Sequence, residues 1–332
     1  MTILHADDST IHRAARALAD GHLVAFPTET VYGLGADGLN PQAAQRIFEV
    51  KGRPADHPVI LHVASVMAAK SLTLNWSAAA DRLTQEFWPG PLTLILKRAA
   101  NVPDIVTGGQ DTVGVRMPSH PVAIQLLTEF DKVGSGVVAA PSANRFGAVS
   151  PTRAADVAAS IGDRLSEHDL ILDGGSCDVG VESTIVDLSG SQPRLLRPGG
   201  IARQAIERVL GQSFEANHAD VPRVSGSLES HYAPNARALL VLPEEMDKIV
   251  RQELLGNPSS RIWCLMISDS ASTEIQKRRH KMPADPVGYA HGLYAVLNDA
   301  DRQGVEMILI ESPPQTPEWE AVNDRLKRAS AV

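Results

Sequence analysis

Cysteine is nearly absent: the 332 residues contain only Cys177 and Cys264. Standing 87 positions apart, they form neither a disulfide framework nor a zinc pattern. A reducing cytoplasm is the expected setting. Long apolar runs are missing too. None approaches the roughly 18 residues of a membrane span, and stretches such as Gly136 to Ala140 are strand-sized. The opening residues, Met1 to Asp8, carry neither a basic segment nor an apolar one, so nothing suggests export. Positive charge is in short supply, with 31 Lys and Arg against 39 Asp and Glu for a net charge of −8. A protein whose main task is gripping a phosphate backbone would usually be basic. The balance favours a small-molecule enzyme. Several familiar motifs are also absent. There is no G-x-x-x-x-G-K-[ST], no H-E-x-x-H and no G-x-S-x-G, and residues 237–332 hold no G-x-G-x-x-G. A P-loop, a zinc-protease helix and a nucleophile elbow are thereby set aside, as is a dinucleotide fingerprint in residues 237–332.

What is present is a globular composition, 43% hydrophobic and 21% charged, which excludes a disordered chain. The length predicts about two domains. Helix-like and strand-like segments alternate along most of it. Asp8-Ser9 reads as a cap for a helix stopped at Gly21, and Asn40-Pro41 as the start of a helix over 43–50. Strands are expected at 22–26, 58–63, 92–96, 113–117, 136–140, 170–172, 184–188 and 194–196, with helices at 77–88, 120–131, 151–161 and 200–210. The close spacing of strands after 170 predicts a mixed sheet. The pattern breaks over 212–236, which reads as a polar linker. It resumes with strands at 238–242, 262–267 and 306–310, and helices at 244–255, 271–280, 286–303 and 317–329. Three strands alternating with helices predict a small doubly wound unit.

Candidate chemistry sits at strand ends. Pro27 to Gly35 places hydroxyls and two glycines directly after a strand, where backbone can approach a ligand closely. Lys51 and Arg53 follow a helix, as phosphate ligands or simply as favourable helix-end charges; such charges are seldom core, so removing them should leave the fold intact. His57 and His62 flank one strand. Period two puts Thr112, Gly114 and Arg116 on one face of another, where an arginine often pairs with an acid. Ser142 and Asn144, Glu182 to Thr184, and Leu196 to Gly200 repeat the theme, with turn chemistry as the alternative. Taken together, the clusters suit a compound bearing carboxylate and phosphate groups.

The string Pro27 to Gly35, the Lys51-x-Arg53 pair, Asp111 to Pro118, Ser142-x-Asn144, Glu182-Ser183-Thr184 and Leu195 to Gly199 resemble the threonylcarbamoyl-AMP synthases. The resemblance covers nearly the whole chain and is most specific over 22–200. It implies a YrdC-like twisted mixed sheet with helices over 1–211, a linker and active-site lid over 212–236, and a smaller Rossmann-like three-layer α/β domain over 237–332. It implies a nucleotidyltransferase that joins L-threonine, bicarbonate or CO2 and ATP into threonylcarbamoyl-AMP and pyrophosphate. The product feeds the machinery that forms threonylcarbamoyladenosine in tRNAs reading ANN codons. Carried over by motif, Thr30, His62, Arg116, Ala140 and Ser183 surround threonine. Lys51, Arg53, His57, Thr112, Ser142 and Arg197 hold ATP, whose phosphates bring Mg2+. The linker keeps the His231-Tyr232-Ala233-Pro234 end of the family pattern but lacks the proline-glycine-methionine and the tyrosine of its first half, leaving Tyr232 as a lid contact. No general base is identified. Two other classes remain open: an RNA-binding or ribosome-maturation factor of the YrdC-like type, and a carbamoyl-phosphate-dependent adenylate enzyme. Charge weighs against the first, and the lack of a cysteine-rich finger against the second.

Overall fold

The computed structural model describes residues 2–214, 221–226, 231–269 and 272–331. The chain divides into two compact units, Met1–Phe146 with Ser150–Ser227, and Gly147–Val149 with Leu228–Val332. No described helix is long and apolar enough to cross a membrane.

The first unit is built on a mixed sheet. Its strands are β1 (Thr2–His5), β2 (Val24–Phe26), β3 (Gly33–Asp37), β4 (Ile60–His62), β5 (Thr73–Leu74) and β6 (Leu92–Arg98). They continue with β7 (Thr112–Arg116), β8 (Val138–Ala139), β9 (Leu170–Asp173), β10 (Thr184–Asp187) and β11 (Arg194–Arg197). Their order is β1-β9-β2-β3-β8-β4-β7-β6-β10-β11, with β5 paired to β6. Parallel pairs such as β4 with β7 alternate with antiparallel ones such as β6 with β7. Side-chain alternation builds a core on each face. Leu23 and Ala25 join one cluster with Ile47, Leu61 and Val115. Val24 and Phe26 point the other way, against Leu18, Leu126 and Phe130.

Local signals explain the elements that carry the site. Asn40 caps the helix Pro41–Lys51 through its side-chain oxygen, proline occupies the first turn, and Gly52 ends it at φ 64°, a left-handed geometry suited to glycine. The first helix, Asp8–Ala19, is capped by Asp7 in a reciprocal pair with Thr10, one residue earlier than expected. Strand β3 was not anticipated, because two glycines depress its strand propensity. They have a packing reason. A Cβ on Gly35 would lie 2.8 Å from both Phe26 and Val138. Gly35→Ala should therefore cost about 1–3 kcal/mol, read as a shift in the urea unfolding midpoint. An unchanged midpoint would mean that the two side chains move aside freely.

The second unit carries a four-stranded parallel sheet, with β12 (Arg237–Val241), β13 (Ile262–Met266), β14 (Arg279–Lys281) and β15 (Met307–Glu311) ordered β12-β15-β13-β14. This corrects the expected three strands. The helix expected over 271–280 is confined, among described residues, to Thr273–Gln276, and the chain then turns into the edge strand β14. Arg279, His280 and Lys281 have no apolar alternation to announce a strand. The long helix is Pro286–Arg302, capped by Asp285.

Candidate active site

Parallel pairing of β4 with β7 sets His62 directly beside Arg116. The loop after β2 brings Glu29 and Thr30 to the same place. Arg116 is 4% exposed, so each of its contacts counts. Its Nη1 donates to Thr30 Oγ1 at 3.0 Å and its Nε to the Gly90 carbonyl at 3.3 Å, while Nη2 lies 2.7 Å from Glu29 Oε1. Thr30 Oγ1 is in turn 2.8 Å from Thr28 Oγ1, and the Ser119 amide donates to Glu29 Oε2 at 3.1 Å. The acid partner anticipated for Arg116 is thus Glu29, two residues into the strand-end string.

Electrostatics fix the protonation states. Burial raises the Glu29 carboxyl, but the charge and contact of Arg116, with backbone hydrogen bonds, outweigh it and hold the group below its usual 4.5. Burial and the neighbouring Arg116 push His62 down to about 3, so its imidazole is neutral at physiological pH. A group depressed on folding contributes stability fully above its unfolded pKa, and loses that contribution as pH falls through the folded value. Glu29 should therefore weaken the fold as pH drops below about 4.5. Glu29→Gln should be less stable at neutral pH and show a flatter loss across this acid range. Parallel curves for the two proteins in urea titrations from pH 7 to pH 3 would count against the ion pair.

A second group gathers around Arg197, 4% exposed on β11. Its Nη2 donates to the Ser183 carbonyl at 2.9 Å and to Ser183 Oγ at 3.2 Å, and Nη1 to the Ser225 carbonyl at 2.8 Å. Ser183 Oγ also lies 2.8 Å from Thr93 Oγ1. Arg53 Nη2 donates to the Pro58 carbonyl at 2.8 Å, and its guanidinium sits 5.6 Å from the centre of the Phe146 ring. His57 meets the same ring edge-on at 5.3 Å. Thr112 and Gly114 line a narrow cleft with Pro58, Ile60, Ile95, Ile185 and Val224. Val224 packs with Ile95 and Ile185, leaving about 10 Å³ of the cleft open, room for about one water.

Lys51 differs from the other cations. It is 2% exposed, and its ammonium donates to the carbonyls of Ser142 at 2.6 Å and Asn144 at 2.5 Å. Burial, then Arg53, lowers its pKa well below the usual lysine value. Lys51 and Arg53 are both interior residues, which corrects the expectation that helix-end charges here are not core. The 142–146 loop lies against Lys51, with the Phe146 amide donating to the Lys51 carbonyl at 2.9 Å. Ala140 is buried beside Gly33, and its amide donates to the Ile60 carbonyl at 3.0 Å.

The structure therefore brings Thr30, His62 and Arg116 together, links Ser183 to Arg197, and sets Arg53 and His57 around Phe146. Tyr232 is placed in the second unit, 1% exposed, with its ring 5.7 Å from that of Tyr294 and Arg325 at 5.3 Å. The lid expected over 212–236 is described in part. Residues 221–226 belong to the first unit, while 215–220 and 227–230 lie outside the described residues. Glu29, Gly90, Thr93, Phe146 and Ser225 were not singled out by sequence. Only Glu29 carried a signal, through its place inside the Pro27 to Gly35 string.

Comparison with known proteins agrees with this layout. The Sua5/YciO/YrdC family, described as telomere recombination, matches residues 16–199, and the threonylcarbamoyl-AMP synthase C-terminal domain matches residues 201–331. A Pyrococcus abyssi protein named threonylcarbamoyl-AMP synthase is 40% identical over 335 residues, covering 96% of this chain and 94% of its own. The chain belongs to the threonylcarbamoyl-AMP synthase family. A Bacillus subtilis synthase is 38% identical over 98% of this chain and 94% of its own. The crystal structure of Pyrococcus abyssi Sua5 complexed with L-threonine matches with a TM-score of 0.86 and 37% identity, covering 99% of this chain and 96% of that one. This family of nucleotidyltransferase enzymes accounts for both units, the mixed sheet and the smaller parallel one.

Proposed function

We propose that the chain condenses L-threonine, bicarbonate or CO2, and ATP into threonylcarbamoyl-AMP and pyrophosphate, supplying the modification of tRNAs that read ANN codons. The observation that carries this reading is the buried Arg116 guanidinium, set beside Thr30 and His62 on a scaffold shared with a threonine-bound relative. A planar guanidinium is suited to a carboxylate. Neutral His62 offers a hydrogen-bonding nitrogen to the amino acid without adding charge. Thr30, Ala140 and Ser183 complete the threonine side in this reading.

Threonine's neutral amine gives a carbamate with loss of water from bicarbonate, or with loss of a proton from the amine when CO2 is the partner. This anion, which water would let decompose, is protected by a closed site. A carbamate oxygen attacks the α-phosphorus of ATP, a new phosphorus–oxygen bond forms, and the bond to pyrophosphate breaks. Such a displacement needs alignment and charge neutralisation rather than a covalent nucleophile. Arg53 and Arg197 are assigned to the phosphates, with Thr112, Ser142 and His57 completing the nucleotide side. Lys51 acts by pinning the Ser142–Asn144 loop, since both of those carbonyls accept from its ammonium. Mg2+ would be held by the phosphates of ATP with few protein ligands, and when bound it would supply neutralisation of phosphate charge.

In this reading residues 221–226 serve as a gate: Val224 fills the cleft beside Thr112 and Gly114, and its withdrawal would admit the nucleotide. Tyr232 belongs to the second unit, and the gate proposed here rests on residues 221–226 alone. Pyrophosphate release measured with each amino acid in turn tests the reading. Release that depends on L-threonine and bicarbonate supports it, and release with ATP alone, or equally with every amino acid, overturns it.

A further inference from the structure

Three buried polar atoms in the first unit lack a hydrogen-bond partner within one cluster: Glu29 Oε1, Arg116 Nη2 and His62 Nδ1. Their residues are 4%, 4% and 3% exposed. Buried polar atoms are seldom left this way, and three together call for a ligand that completes them. The first two are instructive as a pair. They stand 2.7 Å apart, yet the contact does not meet hydrogen-bond geometry for either atom. Nη2 and Oε1 are thus ion-paired without a well-aligned hydrogen bond, and each keeps bonding capacity for a ligand. The rest of each group is anchored elsewhere, Arg116 by Thr30 and Gly90, Glu29 by the Ser119 amide. What remains is one directed cationic donor beside one anionic acceptor.

That arrangement matches a molecule whose anion and cation are separated by a single carbon, which is an α-amino acid zwitterion. We propose that Glu29 binds the substrate's ammonium directly through Oε1 while Arg116 takes the carboxylate of the same amino acid. The inference rests on the proposed threonine chemistry and adds a contact to it. Glu29 then does two things. It keeps the charge of the buried cluster balanced, and it makes the amine part of recognition, so that a hydroxy acid of the same shape is rejected. Rejection arises because a hydroxyl brings no positive charge to a carboxylate that burial has stripped of water.

The experiment is calorimetric binding to the full chain of L-threonine and of the dihydroxy acid bearing a hydroxyl in place of the amine. The parent should prefer threonine strongly. Glu29→Gln should weaken threonine by about 10- to 100-fold, the range for a lost hydrogen bond to a charged group. The dihydroxy acid should change by less than about 3-fold, so the preference collapses. Glu29→Asp, which keeps the charge, should recover part of the preference. If Glu29 serves only to hold Arg116, both ligands weaken equally in Glu29→Gln, and the proposal is wrong. Should the variants not fold, the threonine complex of the parent decides. The ligand nitrogen within about 3.2 Å of a Glu29 carboxylate oxygen supports the assignment, and a nitrogen directed elsewhere overturns it. A parent that ignores threonine defeats the functional reading itself, whereas a parent that binds it with an unchanged preference in Glu29→Gln defeats this contact alone.

Discussion

Arg116→Lys should bind L-threonine roughly 10- to 100-fold more weakly than the parent, while its affinity for ATP changes by less than about 3-fold. Lysine retains the charge and can still meet Glu29. It cannot at the same time reach Thr30 Oγ1, the Gly90 carbonyl and an incoming carboxylate, which the guanidinium does from three nitrogens. Because the buried ion pair survives in this variant, the loss should appear in binding more than in stability. Arg116→Ala should behave differently. It strands Glu29 in the interior, and removing one partner of a buried pair costs about 3–5 kcal/mol. Titration calorimetry of both ligands separates the cases. Equal weakening of threonine and ATP by Arg116→Lys would remove Arg116 from the amino-acid side of the site.

Lys51→Ala carries the second large effect, and it falls on the fold. At 2% exposure the ammonium serves two carbonyls, and deleting it leaves both without that donor and opens a cavity behind the 140–144 loop. A loss of roughly 2–5 kcal/mol is expected, measured by urea unfolding. Since the loop also holds Ser142, ATP binding should fall with it. Lys51→Met separates the two contributions. It refills much of the volume but supplies no donor, so stability should recover in part while the loop stays misplaced. A Lys51→Ala protein as stable as the parent would show that the fold does not depend on the Lys51 ammonium.

Sequence reading succeeded where one physical signal dominated. Asn40-Pro41 and Gly52 bracket a helix through capping and a left-handed turn, and both were legible as residues. Long alternating or continuous apolar runs such as Leu92 to Leu96 announced buried strands. Failure came where packing overrides propensity. Strand β3 is glycine-rich because Phe26 and Val138 leave no room for a Cβ at Gly35, a constraint visible only in three dimensions. β14 is basic because it lies at a sheet edge. The candidate site divides in the same way. Arg116 and Thr30 could be picked out through motif and period, and their meeting with His62 follows from the register between β4 and β7. Glu29 lay inside the motif yet drew no notice, since nothing in a linear string distinguishes an acid that faces an arginine 87 positions away from one that faces solvent. Lys51 was misjudged for the converse reason. A lysine at a helix end is usually solvated, and only the fold shows the Ser142–Asn144 loop lying against its ammonium.

The most direct test of the account is the nucleotide product itself. The purified chain, given ATP, Mg2+, L-threonine and isotope-labelled bicarbonate, should release pyrophosphate and form an adenylate whose mass contains threonine and the labelled carbon. Omitting any one of threonine, bicarbonate or ATP should abolish that species. Pyrophosphate release without threonine, or an adenylate lacking the label, would contradict the assignment of this site to threonylcarbamoyl-AMP synthesis.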